Sequence, residues 1–271
     1  MGMMTASGPL SPRPAGTWNV TPVDARRAVY IEPTPKRVRA LLGGETVADS
    51  TRTLLLSESG LQPVYYFPPA DVRTDLLEPS DRHTHCPKKG EASYYTLRLG
   101  DRLEEAIAWY YPEPLAGAGP LKNHIAFYFD RMDRWLEEDQ EIVGHVRDPY
   151  HRIDVYPSSR HVRVRLEGEL LADSRRPMAL FESNLPARWY LPRADVRARL
   201  LPSETRTTCA YKGQARYFSV ELSSGRIASD LVWCYPEPLH DGAPVKDLLC
   251  FFNERVDLEV DGEPQQRPGA H

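Results

Sequence analysis

The motif residues of Cys86 to Leu115 recur over Cys209 to Leu239. The first copy carries Cys86, Lys89, Gly90, Ala92 and Tyr94, then Trp109, Tyr111, Pro112, Glu113, Pro114 and Leu115. The second carries Cys209, Lys212, Gly213, Ala215 and Tyr217, then Trp233, Tyr235, Pro236, Glu237, Pro238 and Leu239. The match continues outside these blocks. Position n aligns with n+124 almost throughout, with a one-residue slip between Arg82 and Cys86 that is reversed near Gly100. Roughly forty identities fall in about ninety-five aligned positions, which marks an internal duplication. Two copies are too few for a stacked solenoid, so each must close its own core.

A length of 271 residues accommodates two such domains. The expected boundaries are an N-terminal arm over 1–26, a first β domain over 27–137, a connector over 138–151, a second β domain over 152–263 and a tail over 264–271. The arm is rich in Pro, Gly and Ser without periodicity, and arm and tail are both expected to be disordered. Trp18 is the one arm residue with the character to dock on a domain. The acid run Glu137 to Glu141 reads as a solvated connector rather than a metal or partner site.

Within a copy the periodicity is that of strands. Val38 to Leu42 meets Gly43-Gly44 and returns through Thr46 to Ala48; Val162 to Leu166 meets Glu167-Gly168 in the same way, with apolar and charged residues alternating. Thr53 to Leu56, Val64 to Phe67, Tyr94 to Leu99, Ala106 to Tyr110 and His124 to Phe129 are further short runs bounded by turn residues. Their spacing suits a sandwich or barrel. Pro68 to Arg73 reads as one helical turn with Pro at its start, and Asp71 with Arg73 (Asp195 with Arg197) as an ion pair within it. No helix of ten residues is expected.

Composition narrows the class. Hydrophobic residues make up 41% and the mean hydropathy is −0.51, as in a soluble globular chain. No apolar run is long enough for a membrane span, and no export signal is visible. The expected compartment is the cytoplasm, with the four Cys as free thiols. A net charge of −4 argues against nucleic acid.

The two halves can be compared with each other, since a residue that both sites need should survive in both. None of the eight His has a His at its aligned position, and one matched Cys per copy cannot supply tetrahedral zinc, so neither a metal nor another cofactor is expected. Only six of the 34 basic residues are Lys, yet four of them stand in matched pairs, Lys89/Lys212 and Lys122/Lys246. An ammonium, rather than a guanidinium, is wanted there. Also matched are Glu58/Glu182, Tyr66/Tyr190, Tyr94/Tyr217, Trp109/Trp233, Tyr111/Tyr235 and Glu113/Glu237. Cys86 and Cys209 each precede a Lys by three residues. They read either as thiolates activated by the ammonium or as small buried residues beside a turn. Cys234 and Cys250 align with Tyr110 and Ala126 and read as packing. Trp-x-Tyr-Pro-Glu-Pro is rigid, either a ligand wall with Glu113 or Glu237 as its polar group or a packed corner.

These blocks resemble a bacterial family, domain of unknown function 427. The resemblance rests on Cys-x-x-Lys-Gly-x-Ala-x-Tyr followed by Trp-x-Tyr-Pro-Glu-Pro, with Val-Ala-Asp-Ser and Tyr-x-Pro-x-x-Asp-Val-Arg upstream, and covers about residues 28–263. Arg147-Asp-Pro-Tyr150, joining the halves, resembles the tandem actinobacterial members. The family's usual Cys-Pro-Tyr-Lys-Gly stands here as Cys86-Pro87-Lys88-Lys89-Gly90 and Cys209-Ala210-Tyr211-Lys212-Gly213, so the two sites are not expected to be alike. The resemblance implies an all-β module of β-tent, Mss4-like type. The zinc that other members of that fold hold through Cys pairs is not implied, since the pairs are missing. The nucleotidyltransferase-like label sometimes attached to the family finds no paired carboxylates or phosphate loop here.

The expected function is binding of an unidentified small molecule in a pocket of each copy. Its walls would be Tyr66, Tyr94, Trp109 and Tyr111, with Tyr190, Tyr217, Trp233 and Tyr235 in the second copy. Glu58, Cys86 and Lys89, and Glu182, Cys209 and Lys212, would be its polar groups. Two alternatives stand beside it: a thiolate enzyme acting through Cys86 or Cys209, with Lys89 or Lys212 assisting, and a protein-interaction adaptor.

Overall fold

The computed structural model describes residues 28–58 and 60–269. The N-terminal arm with Trp18, and Ser59, lie outside the described residues. The chain divides into two units, 1–151 and 152–271.

The first unit holds β1 (Val29–Pro33), β2 (Val38–Leu42), β3 (Glu45–Ser50), β4 (Leu54–Glu58), β5 (Val64–Phe67), β6 (Leu77–Cys86), β7 (Gly90–Leu99), β8 (Arg102–Tyr110), β9 (Ile125–Phe127), β10 (Arg134–Glu137) and β11 (Gln140–Ile142). They form a seven-stranded sheet in the order β1-β4-β5-β9-β8-β7-β6 and a four-stranded sheet in the order β11-β10-β2-β3. The second unit repeats both with β12 (Ile153–Pro157), β13 (Val162–Leu166), β14 (Glu169–Ser174), β15 (Met178–Glu182), β16 (Arg188–Leu191), β17 (Arg199–Cys209), β18 (Gly213–Glu221), β19 (Ile227–Cys234), β20 (Leu249–Phe251), β21 (Asp257–Val260) and β22 (Glu263–Pro264). The expected all-β pair of similar domains is what the structure shows. The only helical pieces among the described residues are short 3-10 turns.

The alternating strands dictate two apolar layers. Val38, Ala40 and Leu42 of β2 point inward with Tyr65, Phe67, Ile107 and Trp135, filling the space between the sheets. The outer face of the large sheet carries a second cluster built on Leu56, Tyr66, Ala92, Tyr94 and Tyr111. The second unit has both layers too, the outer one around Leu180, Tyr190, Ala215, Trp233 and Tyr235.

Three expectations are corrected. The helical turn lies at Pro69–Asp71, but Asp71 pairs with Arg52 (2.6 Å) and Ser50 (2.6 Å), while Arg73 turns to Asp75 (2.7 Å). Asp195 likewise takes Ser174 and Arg176, at 2.7 and 3.0 Å. The turn sets the carboxylate back over the end of the preceding hairpin, beyond reach of the Arg two residues on. The acid run is the β10–β11 hairpin, whose Ile142 and the following Val146 enter the first core, so the connector belongs largely to the first domain. The tail from Pro264 is held at least to Arg267: Gln265 N donates to Leu258 O (2.8 Å) and Arg267 bonds Val256 O and Asp257.

β6 and β17 went unseen in the sequence because they are edge strands with both faces mostly wet, so no alternation marks them.

Candidate functional site

The site grows from one row of cross-strand partners on the outer face. Register places Tyr66 of β5 opposite Ala126 of β9, Ala126 opposite Trp109 of β8, and Trp109 opposite Tyr94 of β7. The second row is Tyr190, Cys250, Trp233 and Tyr217. The small central residue lets its neighbours meet over it. Trp109 Nε1 donates to Tyr66 Oη at 3.0 Å, and Trp233 Nε1 to Tyr190 Oη at 3.1 Å. Both ring pairs are edge-to-face, 6.2 Å apart at 88°. Cys250 therefore does the work of Ala126, a packing role, and burial pushes its thiol up to about 12. The other ends of the rows are fixed by Thr84 on Tyr94 Oη (3.0 Å) and Thr207 on Tyr217 Oη (2.8 Å).

Beyond the row stand the charges. Glu58 ends β4 on the face of Leu56, two residues earlier. Lys89 lies in the loop joining β6 to β7, where Cys86 pairs with Gly90. Gly90 takes φ +101°, and a Cβ there would sit 3.3 Å from Glu113 O and 3.5 Å from Leu115 N. Gly213 takes φ +95°, with Glu237 O and Leu239 N at 3.2 and 3.1 Å from that place. The Tyr-Pro-Glu-Pro-Leu arm thus runs against the loop, and Leu115 N donates to Lys89 O at 2.9 Å (Leu239 N to Lys212 O, 3.0 Å). The two sequence blocks are one structural unit: Lys-Gly needs the arm, and the arm needs Gly.

Held so, Lys89 donates to Glu58 Oε1, and Lys212 to Glu182 Oε2. All four residues are buried, at 6–8% exposure. Lys89 Nζ is 5.9 Å from the Tyr111 ring centroid. Burial pushes the phenols of Tyr66, Tyr111, Tyr190 and Tyr235 well above their ordinary value, so they remain protonated donors.

In the first domain this constellation borders a hollow of about 530 Å³. Glu58, Tyr66, Lys89, Tyr94, Trp109 and Tyr111 line it, together with Val64, Tyr128, Asp130 and His145. Glu113 is not part of it: its side chain is 84% exposed and paired with Lys122 at 2.9 Å. Glu237 is exposed as well. The prolines point this Glu away from the rings that precede it, so the matched Lys122 and Glu113 are surface neighbours. Cys86 and Cys209 are half-buried against the outer clusters, while the ammonium of each neighbouring Lys is directed onto a Glu.

Tyr128 and its counterpart Phe252 were not foreseen. They lie against Trp109 and Trp233 at 4.7 and 4.6 Å between ring centroids. Aromatic character kept at both aligned positions was the signal for them. His145 comes from outside the matched region and gave none.

Burial lowers the basicity of His145, whose Nδ1–H donates to Val146 O at 2.7 Å. The folded protein therefore binds that proton less readily than the unfolded chain. The corresponding stability is complete above the free imidazole value, about 6.5, and is lost as pH falls from there toward the lowered folded value. Asp148, raised by burial, has the opposite sign: its contribution is present below the free carboxylate value, about 3.9, and is lost as pH rises from there. The melting temperature of the first domain should fall between pH 7 and 5.5, and His145→Gln should flatten that slope. A slope unchanged in the variant would refute the assignment.

Fold and site together define a tandem all-β module in which each domain sets a buried Lys–Glu pair beside a row of aromatic rings. The chain belongs to the family described as Domain of unknown function (DUF427), whose model matches residues 30–138 and 154–262. Comparison with curated proteins gave no match. No helix among the described residues is long and apolar enough to cross a membrane.

Proposed function

We propose that the chain is a receptor for a small molecule, bound in the hollow of the first domain beside the Lys–Glu pair. The observation that carries this is the hollow of about 530 Å³ with Glu58 and Lys89 buried in its lining among Tyr66, Trp109 and Tyr111. That volume is in the range of small-molecule sites, and few polar groups among aromatic walls is their usual composition. A buried ion pair contributes little net stability, because desolvation offsets its attraction. Its place in the lining of the hollow is better accounted for by recognition than by folding.

A metabolite library screened against the full-length chain by thermal shift and tryptophan fluorescence tests this. At least one compound should raise the melting temperature and perturb the emission, with both effects absent in Trp109→Leu. If no compound does so, the proposal falls. Iodoacetamide at neutral pH separates it from the thiolate reading: selective, rapid alkylation of Cys86 or Cys209 in the native protein would favour an enzyme.

A further inference from the structure

Resting on that proposed function, we infer that the two sites have diverged: the first is an open receptor for a small aromatic or apolar molecule bearing one negative charge, and the second is held shut by an ion pair of its own.

The closure is read from two aligned positions. Val64 and Asp130 line the first hollow. At their places in the second domain stand Arg188 and Glu254, which bond to each other through both nitrogens of the guanidinium fork, at 2.9 and 2.7 Å. Arg188 lies over Trp233, 5.5 Å from its ring centroid, and the two side chains are only 16% and 19% exposed. The ligand face of the indole is thereby covered from within the chain. Trp233 is 8% exposed, whereas Trp109 is half-buried. A bidentate Arg–carboxylate pair is directional, and displacing it would separate two partly buried charges.

The charge preference is read from a third position. Lys88 brings its Nζ to 3.4 Å from Glu58 Oε2, while Lys89 holds Oε1 of the same carboxylate. Two ammonium groups share one carboxylate, so a net positive charge stands beside the Lys89–Glu58 end of the hollow, although Lys88 itself, 20% exposed, does not line it. Asp130 stands exposed at the rim, where water screens it. The counterpart of Lys88 is Tyr211, 5% exposed, so at that position the second domain carries a phenol in place of the ammonium. The remaining wall, Trp109 against Tyr128, is a surface for a flat ring.

Equilibrium dialysis of the full chain with 2-naphthoate, and with 2-naphthylmethanol as its uncharged analogue, tests the assignment. Wild type should bind one naphthoate per chain and the alcohol about tenfold more weakly. Trp109→Leu should abolish binding and Trp233→Leu should leave it. Lys88→Tyr, which copies the second domain, should weaken naphthoate roughly five- to tenfold and leave the alcohol unchanged. Arg188→Val with Glu254→Asp, which copies the first, should add a second site. Two equal sites in wild type, one site removed by Trp233→Leu alone, or equal affinity for acid and alcohol would overturn the inference and leave the proposed function standing. No binding of naphthoate would also overturn it; only failure of the whole metabolite screen removes the function itself.

Discussion

Glu58→Gln should be the most damaging conservative change in the first domain, costing about 3–5 kcal/mol, because it takes the carboxylate from two ammonium groups at once, one of them buried. For a domain of this size that is a fall of roughly 10–20 °C in melting temperature. Lys89→Met should cost less, because Lys88 remains 3.4 Å from the carboxylate and keeps part of its compensation. In the second domain Tyr211 stands in the place of Lys88. There Lys212→Met and Glu182→Gln should cost nearly equal amounts. Replacing both partners together, Glu58→Leu with Lys89→Met, should recover most of the loss, since desolvation then no longer opposes folding. Differential scanning calorimetry of the full chain, with urea titration as a second measure, gives the ranking. Equal losses for Glu58→Gln and Lys89→Met would show that Lys88 exerts no influence at the pair.

Gly213→Ala should cost about 2–4 kcal/mol and Gly90→Ala about 1–3 kcal/mol. Both glycines have positive φ, which an L side chain adopts only under strain, so that part is shared. The difference lies in the approach of the arm: backbone atoms stand 3.1 and 3.2 Å from the Cβ position at Gly213, against 3.3 and 3.5 Å at Gly90. Because the neighbours are backbone, they cannot swing aside. The substitution should therefore push the arm off the loop and displace Lys212 from Glu182. The checks are chemical denaturation for stability and backbone amide exchange at Leu239, which should lose protection. Stability within about 0.5 kcal/mol of wild type would mean that the loop yields without strain.

Much of this was legible in the sequence, for an identifiable reason. Duplication turned one chain into its own comparison, and residues kept at Glu58, Tyr66, Tyr94, Trp109, Tyr111 and Lys89 do converge on one face. The same criterion misled at Glu113, which is kept in both halves yet faces solvent, because it selects structural and chemical constancy alike. It was blind to Arg188 and Glu254, since it finds sameness and these mark where the copies part. Alternation found the half-buried strands and missed β6 and β17, which are wet on both faces. It also stumbled in β8, where Ile107 and Ala108 are adjacent and both belong to the inner core.

That irregularity has its own consequence. Between the pairs Glu104–Leu97 and Ala108–Tyr95, β8 has three residues where β7 has one, and the middle residue, Ala106, takes φ 49°. Asp230, with φ 48°, occupies the same place in β19, and Arg131 and Arg255 clasp carbonyls beside the two kinks. The surplus is an even number, so the pleat resumes in phase and the indole stays outside. Losing one residue here would turn Trp109 into the intersheet layer and bring Ala108 out; losing two would leave it where it is. Length variation in this hairpin should accordingly come in twos.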